Sequence, residues 1–151
     1  MDGLDALIRS FARLGDDTAA AGIFGDEENA TKAAFAEFGT VTAPPRPFMS
    51  RAAIVAEEAA GRVVRDAVGE IADSAGRRRV VTKSPAKAAA DNLAENMRAE
   101  IDRGVPPPLA ASTLAARRSR GNSDTTPLRD TGAMRASIRS KAGPGEGGGS
   151  S

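Results

Sequence analysis

Proline sets the first limits on this chain. The stretch T-A-P-P-R-P-F, Thr42 to Phe48, holds three prolines, and V-P-P-P, Val105 to Pro108, holds three more. Proline fixes its own φ, lacks an N–H donor and pushes the residue before it out of the helical region. Neither stretch suits a helix interior or a central strand, so periodic segments have to start or stop at them. Pro44, Pro45 and Pro47 hold the chain extended, and Arg46 between them is offered to a carboxylate. Phe48 opens the next segment, where it can anchor a helix to the loop.

The segments between these stops read mostly as helices. Leu4, Leu7, Ile8, Phe11 and Leu14 follow the spacing of one helical face, with Asp2 as cap and Gly15 at the end. Ala20 to Gly25 is short, apolar and bounded by glycine, which fits a strand. Asp26-Glu27-Glu28 reads as a solvated loop. A short helix follows, ending near Gly39, with Ala30, Ala33, Ala34 and Phe38 on one face. The longest periodic run is Met49 to Ala75, with Ile54, Val55, Val63, Val64, Ala67, Val68 and Ile71 on one stripe. Val80 to Lys83 fits a short strand. Ser84-Pro85 is a good helix start, and Ala86, Ala90, Leu93, Met97 and Ile101 form the face of a helix stopped by Gly104 and the prolines. Leu109 to Arg118 offers one or two helical turns, Ser119 to Thr126 reads as loop, and a short helix or turn carries Met134 and Ile138. The expected organisation is a single domain over residues 1–142, followed by a flexible Gly/Ser-rich tail over 143–151.

Large apolar side chains are scarce: the chain has five Phe and neither Trp nor Tyr. With much of its apolar content in alanine, the core is expected to be thin and partly completed by neighbours. The absence of His and Cys removes imidazole bases, thiolate nucleophiles, disulfides and the usual transition-metal ligands. Gly143-Pro144-Gly145-Glu146 and the glycines after it lack the Lys-Ser/Thr and helix of a phosphate loop. The expectation is a protein that is not an enzyme, with no cofactor and no metal. Residues 1–15 do not read as a signal peptide, and no run is long and apolar enough to span a bilayer. Synthesis in the cytoplasm and no membrane partner are therefore expected.

Charge is unevenly spread. Residues 1–76 carry 7 Lys/Arg against 13 Asp/Glu, and residues 77–141 carry 14 against 6. Such polarity suits subunits that pair an acidic face with a basic one, or a basic face turned to nucleic acid. Arg77, Arg78 and Arg79, with Arg117, Arg118 and Arg120, are the candidate contacts to DNA or to the wall of a DNA-filled lumen. No aromatic residues interleave with them, so any contact would be to phosphate and salt-sensitive.

Two segments, taken together, resemble the tail-completion or minor tail-component proteins of long-tailed phages, related to the Mu-type virion-morphogenesis proteins. The first is E-F-G-T followed by P-x-R-P-F and a long amphipathic helix; here it comprises Glu37, Phe38, Gly39, Thr40, Pro45, Arg46, Pro47 and Phe48. The second is P-L-x-D-T-G-x-L-x-x-S-I, matched by Pro127, Leu128, Asp130, Thr131, Gly132, Met134 in place of Leu, Ser137 and Ile138. The likeness covers roughly residues 19–140. It implies an α+β fold, with a small antiparallel sheet, a long helix packed on it and further helices, in a ring-forming subunit. It implies a virion protein at the head–tail junction, in a homo-oligomeric ring of sixfold or twelvefold symmetry. Its partners would be neck, connector and tail-tube proteins, and genomic DNA would pass through the lumen. On this likeness Phe38 and Phe48 would be apolar interface anchors, Arg46 an inter-subunit ion pair, and Asp130 the cap of the last short helix. The alternative reading is a basic nucleic-acid-binding accessory protein.

Overall fold

A computed structural model describes residues 17–77 and 84–143, together with Leu4, Asp5 and Ile8. Among the described residues the chain is α+β, with five helices and a two-stranded antiparallel sheet. Strand β1 is Ala19–Ile23, and helix α1 is Glu27–Phe38. Helix α2 is Phe48–Gly76, α3 is Pro85–Arg103 and α4 is Ala111–Ser119. The chain closes with α5, Ala133–Ser137, and β2, Ile138–Ala142, which pairs with β1. Leu4, Asp5 and Ile8 are helical, as the N-terminal periodicity suggests. The rest of that segment, the Val80–Lys83 strand and the tail beyond Gly143 lie outside the described residues.

The chain divides into two compact units. One comprises Met1–Ala21, Ala56–Leu93 and Ser140–Ser151; the other comprises Gly22–Val55 and Ala94–Arg139. In the first unit Ala67, Ile71 and Ala90 are buried. The start of α3 is capped as its sequence suggests: Ser84 Oγ accepts from Lys87 N at 2.9 Å. A second cap arrives from far away, because Asp17 accepts from the Ser84 hydroxyl and from Ala86 N. Lys87 joins α3 to β2 by donating to Asp91 and Ser140, and Gly143 N continues the pairing of the strands by donating to Thr18 O.

The second unit holds a core of Phe48, Ala52, Met97, Ile101, Val105, Met134 and Ile138. Here α1 packs against α5. A buried carboxylate, Glu100, ties α2 to the end of α3 by accepting from Arg51 at 3.0 Å and from Arg103. Asp102, near the end of α3, receives a two-pronged bond from Arg135 of α5 at 2.8 and 2.7 Å. Arg98 donates to the carbonyl of Ile138, where α5 gives way to β2.

Three sequence expectations change. Asp26-Glu27-Glu28 is not loop: Asp26 caps α1 by accepting from Asn29 N, and Glu27 and Glu28 fill the first turn. Acids are favoured there because the first amide groups of a helix carry partial positive charge. The stripe on α2 does not lie wholly against the core. Phe48, Ala52, Ala67 and Ile71 are buried, whereas Ile54 is 62 % exposed and Val55 and Val64 are each 37 % exposed. At about 100° per residue those positions turn through too wide an arc for one buried face. Finally, Ile138–Ala142 forms a strand that was not expected, since I-R-S-K-A has too little alternation to announce one locally.

The acids explain how stability should respond to pH. A hydrogen bond from the Asn29 side chain holds Asp26 below the usual carboxylate range. The Arg135 guanidinium does the same for Asp102, and the backbone N–H of Thr126 does so for Asp124. A carboxylate whose folded pKa is depressed stabilises the fold above its unfolded pKa and loses that contribution as pH falls through the folded value. With no His in the chain, thermal melts should coincide between pH 6 and 8. The melting midpoint should fall below about pH 4, near the unfolded Asp value. A midpoint that rises on acidification would contradict these three assignments.

Candidate functional site

The proline corner is built from one carboxylate and one glycine. Glu37, at the end of α1, is 8 % exposed and turns its carboxylate onto the first turn of α2. It accepts from Met49 N at 2.9 Å, from Ser50 N at 3.0 Å and from the Ser50 hydroxyl. Pro47 leaves α2 without a side-chain cap of its own, so a residue ten positions earlier satisfies the orphan donors. Gly39 makes the turn possible. Its φ is +76°, and a Cβ placed there would sit 2.9 Å from Pro45 N and 3.1 Å from Ala43 O. Thr40 then stabilises the turn, its N–H donating to Ala43 O and its hydroxyl accepting from Ala43 N.

Arg46 has an internal role. Its Nε donates to Pro107 O at 2.9 Å and an Nη to Pro108 O at 3.2 Å, so the first proline stretch is clasped to the second. Proline carbonyls without helical partners are natural acceptors for a rigid guanidinium fork. Within the chain these two bonds hold the Arg46 guanidinium, which was expected to face a carboxylate. Phe48 is likewise withdrawn from any surface, being fully buried within the unit, while Phe38 is 82 % exposed. Of the two expected anchors, Phe38 is available to a partner.

The second segment is a framework too. Pro127 is buried, and Leu128 takes a positive φ of 66°. Asp130 does not cap α5. Gly132, at φ +81°, occupies the cap position, and Thr131 Oγ1 accepts from Ala133 N at 3.3 Å. Asp130 faces the other way, taking Arg120 at 3.1 Å and Asn122 at 3.0 Å. Met134 and Ile138 are buried, and Ser137 donates to Met134 O.

This arrangement also sorts the basic clusters. Arg117 is 5 % exposed and lies inside the loop that follows α4. It donates to the carbonyls of Asp124 and Thr126, each at 2.9 Å, and lies 3.6 Å from Asp130. It is therefore an organiser of that loop and not a contact for DNA. Arg120 pairs with Asp130, and Arg77 with Asp73 at 2.6 Å, both on the surface. Arg118 is exposed beside Asn122 and Ser123, while Arg78 and Arg79 lie outside the described residues. Replacing Arg117 by Met should destabilise the fold by about 2–3 kcal/mol, because buried carbonyls lose charged donors. A urea midpoint equal to that of the wild type would show that the loop closes without it.

The second unit also presents several large apolar side chains outward. Val41, at the tip of the corner, is fully exposed, and Phe35 and Ile54 are 57 % and 62 % exposed. On α1 runs a groove of about 430 Å³, floored by Ala30, Ala33 and Ala34 and edged by Ile23, Glu37, Phe38 and Met49. The alanines on one face of α1 were legible in the sequence. That they floor a groove was not, because spacing shows which residues share a face and not what lies over it. Among the described residues no group of His, Cys, Asp or Glu is arranged to hold a metal, and no helix is long and apolar enough to cross a membrane. No protein-family model, curated protein or solved structure matches this chain.

Proposed function

We propose that this chain is a structural virion protein of a tailed phage, one subunit of a ring at the head–tail junction. The ring would complete the tail, or join the tail tube to the head connector, and leave a lumen for DNA. The observation that carries this reading is the assembly of the two family-like segments into one unit. Glu37–Phe48 sets the entry of α2, Pro127–Ile138 forms α5 and its approach, and α1 packs on α5 between them. The exposed Phe35, Phe38 and Val41, close in sequence at the end of α1 and the corner after it, support it further, since exposed apolar side chains on a small subunit suit contact with neighbours. The stiff corner that carries Val41 lowers the ordering cost of docking.

Mass spectrometry of purified particles, followed by imaging of the junction, tests the proposal. The chain is expected in the neck, and Val41→Asp should leave the protein soluble and equally stable while lowering particle yield at least tenfold. Particles that form normally and lack the chain at every stage of assembly would overturn it. The alternative, an accessory protein bound to nucleic acid, draws on Arg118 and the Arg77–Arg79 run. It requires retention on DNA with a steep salt dependence and no oligomer.

A further inference from the structure

Between Ala52 and Ala67, about four turns of α2 pass without a buried residue. Ala56, Ala59, Ala60 and Val63 are half-buried on one side of the helix. At about 100° per residue, the opposite side carries Ile54, Glu58, Gly61, Arg65 and Val68. Ile54 is 62 % exposed and Val64, at the margin of that side, 37 %. Helices in proteins are held mainly by what one face packs against, so a bare stretch of this length calls for a partner.

The charges on the bare side are unpaired as well. Elsewhere on the surface, charges four residues apart are joined: Glu28 with Lys32, Asp73 with Arg77, and Lys87 with Asp91. Glu58 and Arg62 have the same spacing, yet among the described residues neither they nor Glu57 and Arg65 form an ion pair. Gly61 and Gly69 lie in the helix interior, where glycine costs about 1 kcal/mol relative to alanine. Packing among the described residues does not require them, since a Cβ at either would meet no atom within 4 Å.

We infer that α2 pairs with α2 of a second copy, antiparallel, about a two-fold axis beside Gly61. Charge order selects this occupant. The acids Glu57 and Glu58 precede Gly61, and the bases Arg62 and Arg65 follow it. Antiparallel seating sets Glu58 of one copy beside Arg65 of the other, and the two-fold axis repeats the pair in reverse. Parallel seating sets like charges together, and a partner of one sign leaves half of these charges unmatched. The same register lays Ile54 over the Val68–Gly69 step of the second copy, and Gly61 lets the helix axes approach to about 8 Å. All of these residues lie on one unbroken helix, so helical geometry alone fixes their spacing. The contact joins the same surface on both copies and closes after two, so it goes beyond the ring reading and does not depend on it. A helix pair this short makes a small interface, so the dimer should depend on concentration and weaken in salt.

Charge reversal in the full chain tests the pairing. Sedimentation equilibrium of the wild type should show a monomer–dimer equilibrium. Glu58→Arg and Arg65→Glu should each raise the dissociation constant at least about tenfold, because two ion pairs become two like-charge contacts. Mixed in equal amounts, the two variants should associate as tightly as the wild type, since each supplies the charge that the other lacks. Gly61→Gln should also weaken the dimer while raising the melting midpoint of the dilute chain. A wild type that stays monomeric at millimolar concentration overturns the inference. A dimer or larger oligomer indifferent to all three substitutions also overturns it, and leaves the ring reading standing. Single variants that weaken the dimer but do not associate with each other show that positions 58 and 65 do not meet, which overturns it too.

Discussion

Phe48→Ala is expected to unfold much of the second unit, at a cost of about 3–5 kcal/mol for truncating a fully buried aromatic. In a chain of this size that corresponds to a fall of roughly 6–20 °C in the melting midpoint. The side chain is 0 % exposed and stands at the first position of α2, in a core otherwise made of Ala, Met, Ile and Val. No larger side chain is at hand to refill the space, so the cavity should persist. The family likeness had implied a different role, an apolar interface anchor, for which truncation would leave a soluble chain defective in assembly. Urea denaturation decides between them: an unchanged midpoint would return Phe48 to the surface.

Glu37→Ala should cost about 2–3 kcal/mol, the sum of a lost helix cap and a lost charge–dipole interaction in a partly enclosed site. Two amide donors, those of Met49 and Ser50, would be left without their partner. Glu37→Gln separates the two contributions. The amide oxygen still accepts a hydrogen bond, so this variant should lose about 1 kcal/mol, the part that depends on charge. If the Gln and Ala variants unfold at the same urea concentration, the carboxylate acts through its charge and the cap geometry matters little. If neither is destabilised, Glu37 does not set the start of α2.

These results separate two kinds of residue in the family-like segments. Glu37, Gly39, Arg46, Phe48, Asp130 and Gly132 shape the unit, through caps, positive φ angles and bonds to carbonyls. Phe38 and Val41, with Phe35 one turn earlier on α1, are what that framework leaves exposed for a partner. A surface substitution at Phe38 or Val41 should therefore affect assembly without affecting stability, and a framework substitution should do the reverse. Arg46→Glu belongs to the second kind, since it would break the clasp on Pro107 and Pro108 and set a carboxylate against their carbonyls.

The sequence by itself determined where most elements begin and end. Pro47, Gly39, Ser84-Pro85, Gly104 and the proline stretches act within a few residues, through fixed φ, missing donors and permitted positive φ, and such effects need no partner. The helices α1, α2, α3 and α4 were legible for that reason, as was β1 between its glycines. The tertiary structure decided the rest. It turned Glu37 onto α2, buried Arg117 among carbonyls, clasped Arg46 to a loop about sixty residues away and paired Ile138–Ala142 with β1. Each of these depends on a partner distant in the chain, which local propensity does not specify. The same holds for the groove: the spacing of Ala30, Ala33 and Ala34 defined a face, and only packing made that face the floor of a groove among the described residues.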